Sequence, residues 1–129
     1  HIVNDISEND DELLLAVYLD NGSFELPTNS DRKALEDAKK YLKDYAVVLS
    51  PFIPVEEIMD DSMPTRKYLH YFYKLHSPRQ LVLLASLSKE IRTIIEQISI
   101  DDADYASAVG TYLSMILAKH ITYNSRCSN

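Results

Sequence analysis

The chain has 129 residues, 46% of them hydrophobic and 26% charged, a balance that excludes a disordered tail and fits one folded domain or part of one. No apolar run approaches the ~18 residues that a membrane-spanning helix needs, and no signal-peptide pattern opens the chain. The net charge of −7 speaks against an autonomous nucleic-acid-binding domain, because phosphate backbones are held by lysine and arginine.

That charge is unevenly spread. Residues 1–65 carry 15 acidic and 5 basic side chains, and residues 66–129 carry 5 acidic and 8 basic ones. The front half is therefore near −10 and the back half near +3, so only the back half suits a phosphate backbone. A single cysteine, Cys127, allows no internal disulfide and suits a reducing cytoplasm. The chain starts at His1 rather than Met, which points to an excised or processed fragment.

Residues 4–12 are acidic and polar and read as a solvated start. The apolar run Leu13–Leu19 is followed by Asn21-Gly22 and then Phe24-Glu25-Leu26. Asn-Gly signals a type I′ turn, so the segment reads as strand, turn, strand. A helix over residues 10–19 competes with that reading, since the run has no period of its own. Pro27 closes the unit. Thr28, Asn29 and Ser30 then offer capping oxygens to a helix that begins near Asp31 and runs to about Ala46. Its apolar stripe is Ala34, Leu35, Ala38, Tyr41, Leu42 and Tyr45.

Pro51, Pro54 and Pro64 make residues 50–76 a connector, with room for one short helical turn over Val55–Met59. Ser77, Pro78 and Gln80 form a capping box with proline at the first helical position. The helix they start runs to about Ser99, with a seam of Leu84, Leu87, Ile91, Ile94 and Ile98 broadened by Leu81, Ser88 and Ile95. Asp101, Asp102 and Asp104 suit the start of a last helix over residues 102–123, whose seam reads Tyr105, Val109, Tyr112, Ile116, His120 and Tyr123. So short a connection forces an antiparallel helical hairpin over residues 77–123. The fold class is therefore mainly α, in the α+β sense: a hairpin plus helix over 13–49, the connector, and the helical hairpin.

Chemistry-bearing patterns are sparse. Neither a phosphate-cradling loop nor a methyl-donor-binding strand end can be built from Gly22 and Gly110. His70 and His76 have no acidic partner between them, and His120 on its seam reads as a half-buried core histidine. The Asp101, Asp102 and Asp104 cluster reads as helix capping, and Cys127 beside Arg126 as an inert thiol in a polar tail. The segment Arg66–Lys74 interleaves bases with aromatics. It suits either stacking on bases and pairing with phosphates or a loop with its rings in the core and its bases in solvent. Arg79 occupies the first turn of a helix, where the dipole disfavours a cation. It therefore calls for a partner such as a buried carboxylate or a phosphate. Arg66, Lys67, Lys74 and Arg79 are the candidate phosphate contacts. Leu83, Met115 and Leu117 lie off the two seams and suit a partner protein or self-association.

The segment Leu75-His76-Ser77-Pro78-Arg79-Gln80-Leu81 resembles the Phe-(Asn/Thr/Ser)-Pro-Arg-Gln-Leu-Leu stretch of a family of long prokaryotic adenine-specific DNA methylases. Tyr105-Ala106-Ser107-Ala108-Val109-Gly110-Thr111-Tyr112-Leu113 resembles that family's Tyr-Ala-x-Ala-Val-x-Thr-Tyr-Leu helix, and Tyr123-Asn124-Ser125 its Tyr-Asn-Ser. Leu26-Pro27-Thr28 and the connector Pro51-Phe52-Ile53-Pro54 are more loosely similar. The chain departs from the family at His76, where the family has phenylalanine, and has no tryptophan after Cys127. The Asp-Pro-Pro-Tyr motif that holds a flipped adenine beside the methyl donor, and the S-adenosylmethionine loop, are not in this sequence. The resemblance implies a non-catalytic, cytoplasmic segment with no cofactor of its own, in a parent protein that uses S-adenosylmethionine. Its partners would be the rest of the methylase chain and, through it, DNA, with no membrane.

Overall fold

A computed structural model describes residues 14–59, 69–123 and 125. Among them the chain is mainly helical behind a small hairpin. The strands are β1 (Val17–Tyr18) and β2 (Phe24–Glu25), and the helices α1 (Asn29–Asp44), α2 (Ala46–Leu49), α3 (Pro78–Ser99) and α4 (Ala103–Tyr123). Two 3-10 turns, Ser50–Phe52 and Phe72–Leu75, lie in the connector.

The strands are antiparallel, with Val17 opposite Glu25 and Tyr18 opposite Phe24. The turn differs from the expected type I′. Gly22 alone has positive φ, at 83°, so Asn21 stays in the ordinary region and the loop lengthens to Asp20-Asn21-Gly22. Gly22 N–H donates to the Leu19 carbonyl and Leu19 N–H to that of Ser23, each at 2.9 Å. The Asn21 carboxamide oxygen accepts from the Ser23 N–H at 3.0 Å and from its hydroxyl at 2.7 Å. Those two bonds favour the three-residue loop that glycine closes as a bulge. A ribbon this short needs outside support. The Tyr18 and Phe24 rings, 5.1 Å apart, brace each other on its exposed face.

Thr28 caps α1 in a capping box with Asp31. The helix ends two residues earlier than the pattern suggests, because Tyr45 leaves helical geometry at φ −105°, ψ 19° before α2 begins. Of its stripe, Leu42 is buried, Ala34, Leu35 and Ala38 are half-buried, and Tyr41 and Tyr45 stack on one another at the surface, 4.3 Å apart.

The connector is not a passive link. Pro54 disfavours helical geometry in the residue before it, and Ile53 is extended at φ −104°, ψ 120°. Instead of a helical turn over Val55–Met59, that stretch is extended and bridges antiparallel to Tyr71 through Glu57. Ile58 N–H donates to the His70 carbonyl at 2.9 Å and Phe72 N–H to that of Glu56 at 3.1 Å. This bridge delivers Tyr73 to a cluster with Leu42, Leu49, Ile53, Leu81 and Ala85. Ile58 is also buried.

Helix α3 is the axis of the molecule, packing against α1 on one side and α4 on the other. It runs parallel to α1: Asp31 lies within electrostatic reach of Arg79 and Tyr41 of Lys89, ten residues further along each helix. The 45–77 crossing is what allows two parallel neighbours. Helix α4 returns antiparallel, as expected from its short connection.

The contact face of α4 differs from the expected seam. Ala106, 2% exposed, and Gly110 face α3, and a Cβ on Gly110 would stand 2.8 Å from Cδ1 of Ile95. Tyr105, Tyr112, Ile116 and Tyr123 are more than half exposed, His120 is exposed, and only Val109 of that seam is half-buried. Small side chains one turn apart let the backbones approach more closely than tyrosines would, so the helix turns its small face inward. On α3 the seam largely holds: Leu81, Leu84 and Ile91 are buried, while Ile94 is 41% exposed.

Leu42 is 1% exposed. Leu42→Ala is expected to cost about 3 kcal/mol, the usual toll of a buried leucine cavity, read by urea denaturation. Gly110→Leu should separate α3 from α4 and cost about 2 kcal/mol through overpacking. Adding Ile95→Ala should recover part of that loss. Additive losses in the double variant would mean the two positions do not share a contact.

Candidate functional surface

The candidate phosphate contacts sit in two different settings. Arg66 and Lys67 lie outside the described residues. Lys74 belongs to the second 3-10 turn and is half-buried. Its ammonium lies 5.9 Å from the Tyr71 ring centre and 6.0 Å from that of Tyr73, and these rings stack on each other at 5.5 Å. Tyr73 is 4% exposed, whereas Phe72 faces out at 44%. The segment thus turns the Tyr73 ring into the core and lays its lysine across that ring and Tyr71, an arrangement that cation–π attraction favours.

Arg79 is exposed in the first turn of α3. The Ser77 cap beside it is complete. Gln80 N–H donates to the Ser77 hydroxyl at 3.4 Å, and Ser77 N–H to the Gln80 carboxamide oxygen at 2.8 Å. Pro78 is buried at the first helical position, where it forfeits no hydrogen bond. Asp31, on the neighbouring helix, lies within electrostatic range of Arg79. Hydrogen bonds from the Thr28 hydroxyl at 2.6 Å and the Thr28 N–H at 2.8 Å hold the Asp31 carboxyl below the usual carboxylate range, and the Arg79 guanidinium lowers it further. This carboxylate completes the α1 cap, and the Arg79 charge acts on it as a lesser influence.

The other titratable candidates are scattered. His70 is exposed and His76, 8% exposed, is buried where the 3-10 turn meets the Ser77 cap. His76 N–H donates to the Tyr73 carbonyl at 3.2 Å. His120 is exposed rather than half-buried, because the inward face of α4 is the Ala106–Gly110 side. Asp102 accepts from the Tyr105 N–H at 2.9 Å, and Asp104 stands in the first turn of α4. Among the described residues, no three His, Cys, Asp or Glu side chains gather as a metal site, and no helix is long and apolar enough to cross a membrane.

The largest unassigned feature is the outside of α4. From Tyr105 to Ala118 it carries no charged residue, yet Tyr112 is 71% exposed, Met115 64% and Ile116 53%. Leu83 on α3 is also exposed, whereas Leu117 is half-buried. On the flank, Ser107, Thr111, Ser114 and Ala118 line a shallow hollow of about 580 Å³ beside Ile95. The signal was present in the sequence as a charge-free helix with a small i, i+4 pair, Ala106 and Gly110. The pair marks the packed side and leaves the tyrosines outside. Comparison with known families, curated proteins and solved structures finds no match.

The depressed acidity of Asp31 has a definite sign. A carboxyl more acidic when folded contributes stability above the usual carboxylate range and loses it as pH falls through the folded value. Asp31→Asn should therefore lower the melting temperature at neutral pH. The gap to the unaltered chain should close in acid below that range. A gap that persists unchanged in acid would show that the ionised form adds nothing.

Proposed function

We propose that this chain is a non-catalytic helical scaffold segment of a cytoplasmic, S-adenosylmethionine-dependent adenine-specific DNA methylase. The observation that carries this reading is where the methylase-like stretches fall. The Ser77-Pro78-Arg79-Gln80 stretch builds the cap of α3, and Ala106, in the Tyr-Ala-x-Ala stretch, is buried in α4 against it. Two stretches separated in sequence meet in one helical hairpin, and what they supply is a cap, a buried proline and a small packing residue. These are framework devices. The sequence also contains neither the family's Asp-Pro-Pro-Tyr motif nor its methyl-donor loop.

In this reading the segment supports the rest of the methylase chain and shapes the edge of the DNA groove. Arg66, Lys67, Lys74 and Arg79 belong to the basic half of the chain and are its phosphate-facing side chains. Arg79 lies within electrostatic range of Asp31 and Lys74 lies on two rings, so each adds modestly to backbone binding rather than reading bases.

Fluorescence anisotropy with labelled duplex DNA at low salt tests the groove contact. Weak binding is expected, reduced about two- to fivefold by Arg79→Ala and steeply by added salt. No binding at low salt would remove the groove contact and leave the scaffold role. A methyl-transfer assay with duplex DNA and S-adenosylmethionine should give no turnover by this chain, and robust turnover would overturn the reading.

A further inference from the structure

A helix that is hydrophobic all round is ordinarily buried on all sides, and α4 carries no charge from Tyr105 to Ala118. Helix α4 is covered on the side that meets α3 and open on the other. At 3.6 residues per turn, Ala106, Gly110 and Leu113 fall on the covered side. Asp104, Ala108, Thr111, Tyr112, Met115 and Lys119 fall on the opposite one, and all six are exposed. This outer stripe has an internal symmetry. Its positions are spaced 4, 3, 1, 3 and 4, so they read the same from either end about a point between Thr111 and Tyr112.

We infer that this face pairs with the same face of a second copy of the chain, the two α4 helices lying antiparallel about a two-fold axis at Thr111–Tyr112. The pairing sets Asp104 of one copy opposite Lys119 of the other, twice over. It also sets Ala108 opposite Met115, a small side chain facing a large one, and crosses the two Thr111–Tyr112 pairs at the axis. An isologous contact requires each residue to meet its symmetry complement. The acidic end, the charge-free middle and the basic end of α4 provide that complement in the antiparallel sense only. A parallel pair would set Asp104 against Asp104 and Lys119 against Lys119. Antiparallel helix dipoles favour the same choice. Asp104 and Lys119 are about 22 Å apart along the helix, so the apolar stretch between them is long enough to seal about four turns from water. The end charges fix direction and register more than they add affinity. The result is a four-helix arrangement, with an α3–α4 hairpin from each copy. This inference stands on the charge pattern and exposure of α4 and is independent of the methylase reading.

Sedimentation equilibrium over a range of concentrations tests it. The chain should sediment at twice 14.8 kDa at high concentration and dissociate on dilution. Met115→Glu should abolish the dimer while circular dichroism shows the helices intact. Lys119→Asp should raise the dimer dissociation constant roughly tenfold, the scale of opposed like charges at an interface, and Asp104→Lys combined with Lys119→Asp should restore most of the loss. On a Cys127→Ser background, Ala108→Cys and Met115→Cys together should cross-link two copies under oxidation, and each alone should not. A mass of 14.8 kDa up to sub-millimolar concentration would overturn the proposal. So would a dimer untouched by Met115→Glu, or cross-linking by either single cysteine as efficient as by the pair.

Discussion

Everything described here depends on one helix having two occupied sides. Helix α3 buries Leu81 and Ala85 in the cluster that holds Leu42, Leu49, Ile53 and Tyr73, and it presents Ile95 to Gly110 of α4. Its start is fixed by the Ser77–Gln80 capping box and the buried Pro78. If that start slipped by one residue, both faces would rotate by about 100° and neither neighbour would find its socket. The cap therefore sets the register for two packing surfaces as well as completing a helix end.

The parallel relation of α1 and α3 follows from the crossing between them. A short turn would have forced the two helices antiparallel. The proline-bearing crossing lets the chain travel back along the molecule, and the Glu57–Tyr71 bridge ties that return path so that it contributes Ile53, Ile58 and Tyr73 to the interior. Parallel packing also brings two helix N-termini to the same end, where the Asp31 carboxylate of the α1 cap lies within electrostatic range of Arg79.

The helices were legible in the sequence because their signals are local. Ser77-Pro78-x-Gln80, the acidic run before α4 and the apolar periodicity of α3 each act within one or two turns. What was not legible depends on partners distant in the chain. The α4 seam was read from its largest side chains, but Ile95 selects the small Ala106–Gly110 face, and periodicity alone cannot rank two faces of a helix without charges. The Asn21 turn went to a three-residue loop because Ser23 bonds back to the Asn21 side chain, a competitor the Asn-Gly pattern does not contain. Val55–Met59 became a bridge because its hydrogen-bond partners lie at residues 70–72. Arg79 stands out by the dipole rule, whereas the Asp31 charge within its range lies on another helix, beyond any local pattern.

The proposed function is that of a framework piece inside a longer methylase chain, acting through its surfaces. The most direct measurement is the size of the native polypeptide in source cells, by immunoblot with an antibody raised against this chain. The account predicts a band far heavier than 14.8 kDa. A dominant band at 14.8 kDa would mean that the chain acts on its own, and would contradict it.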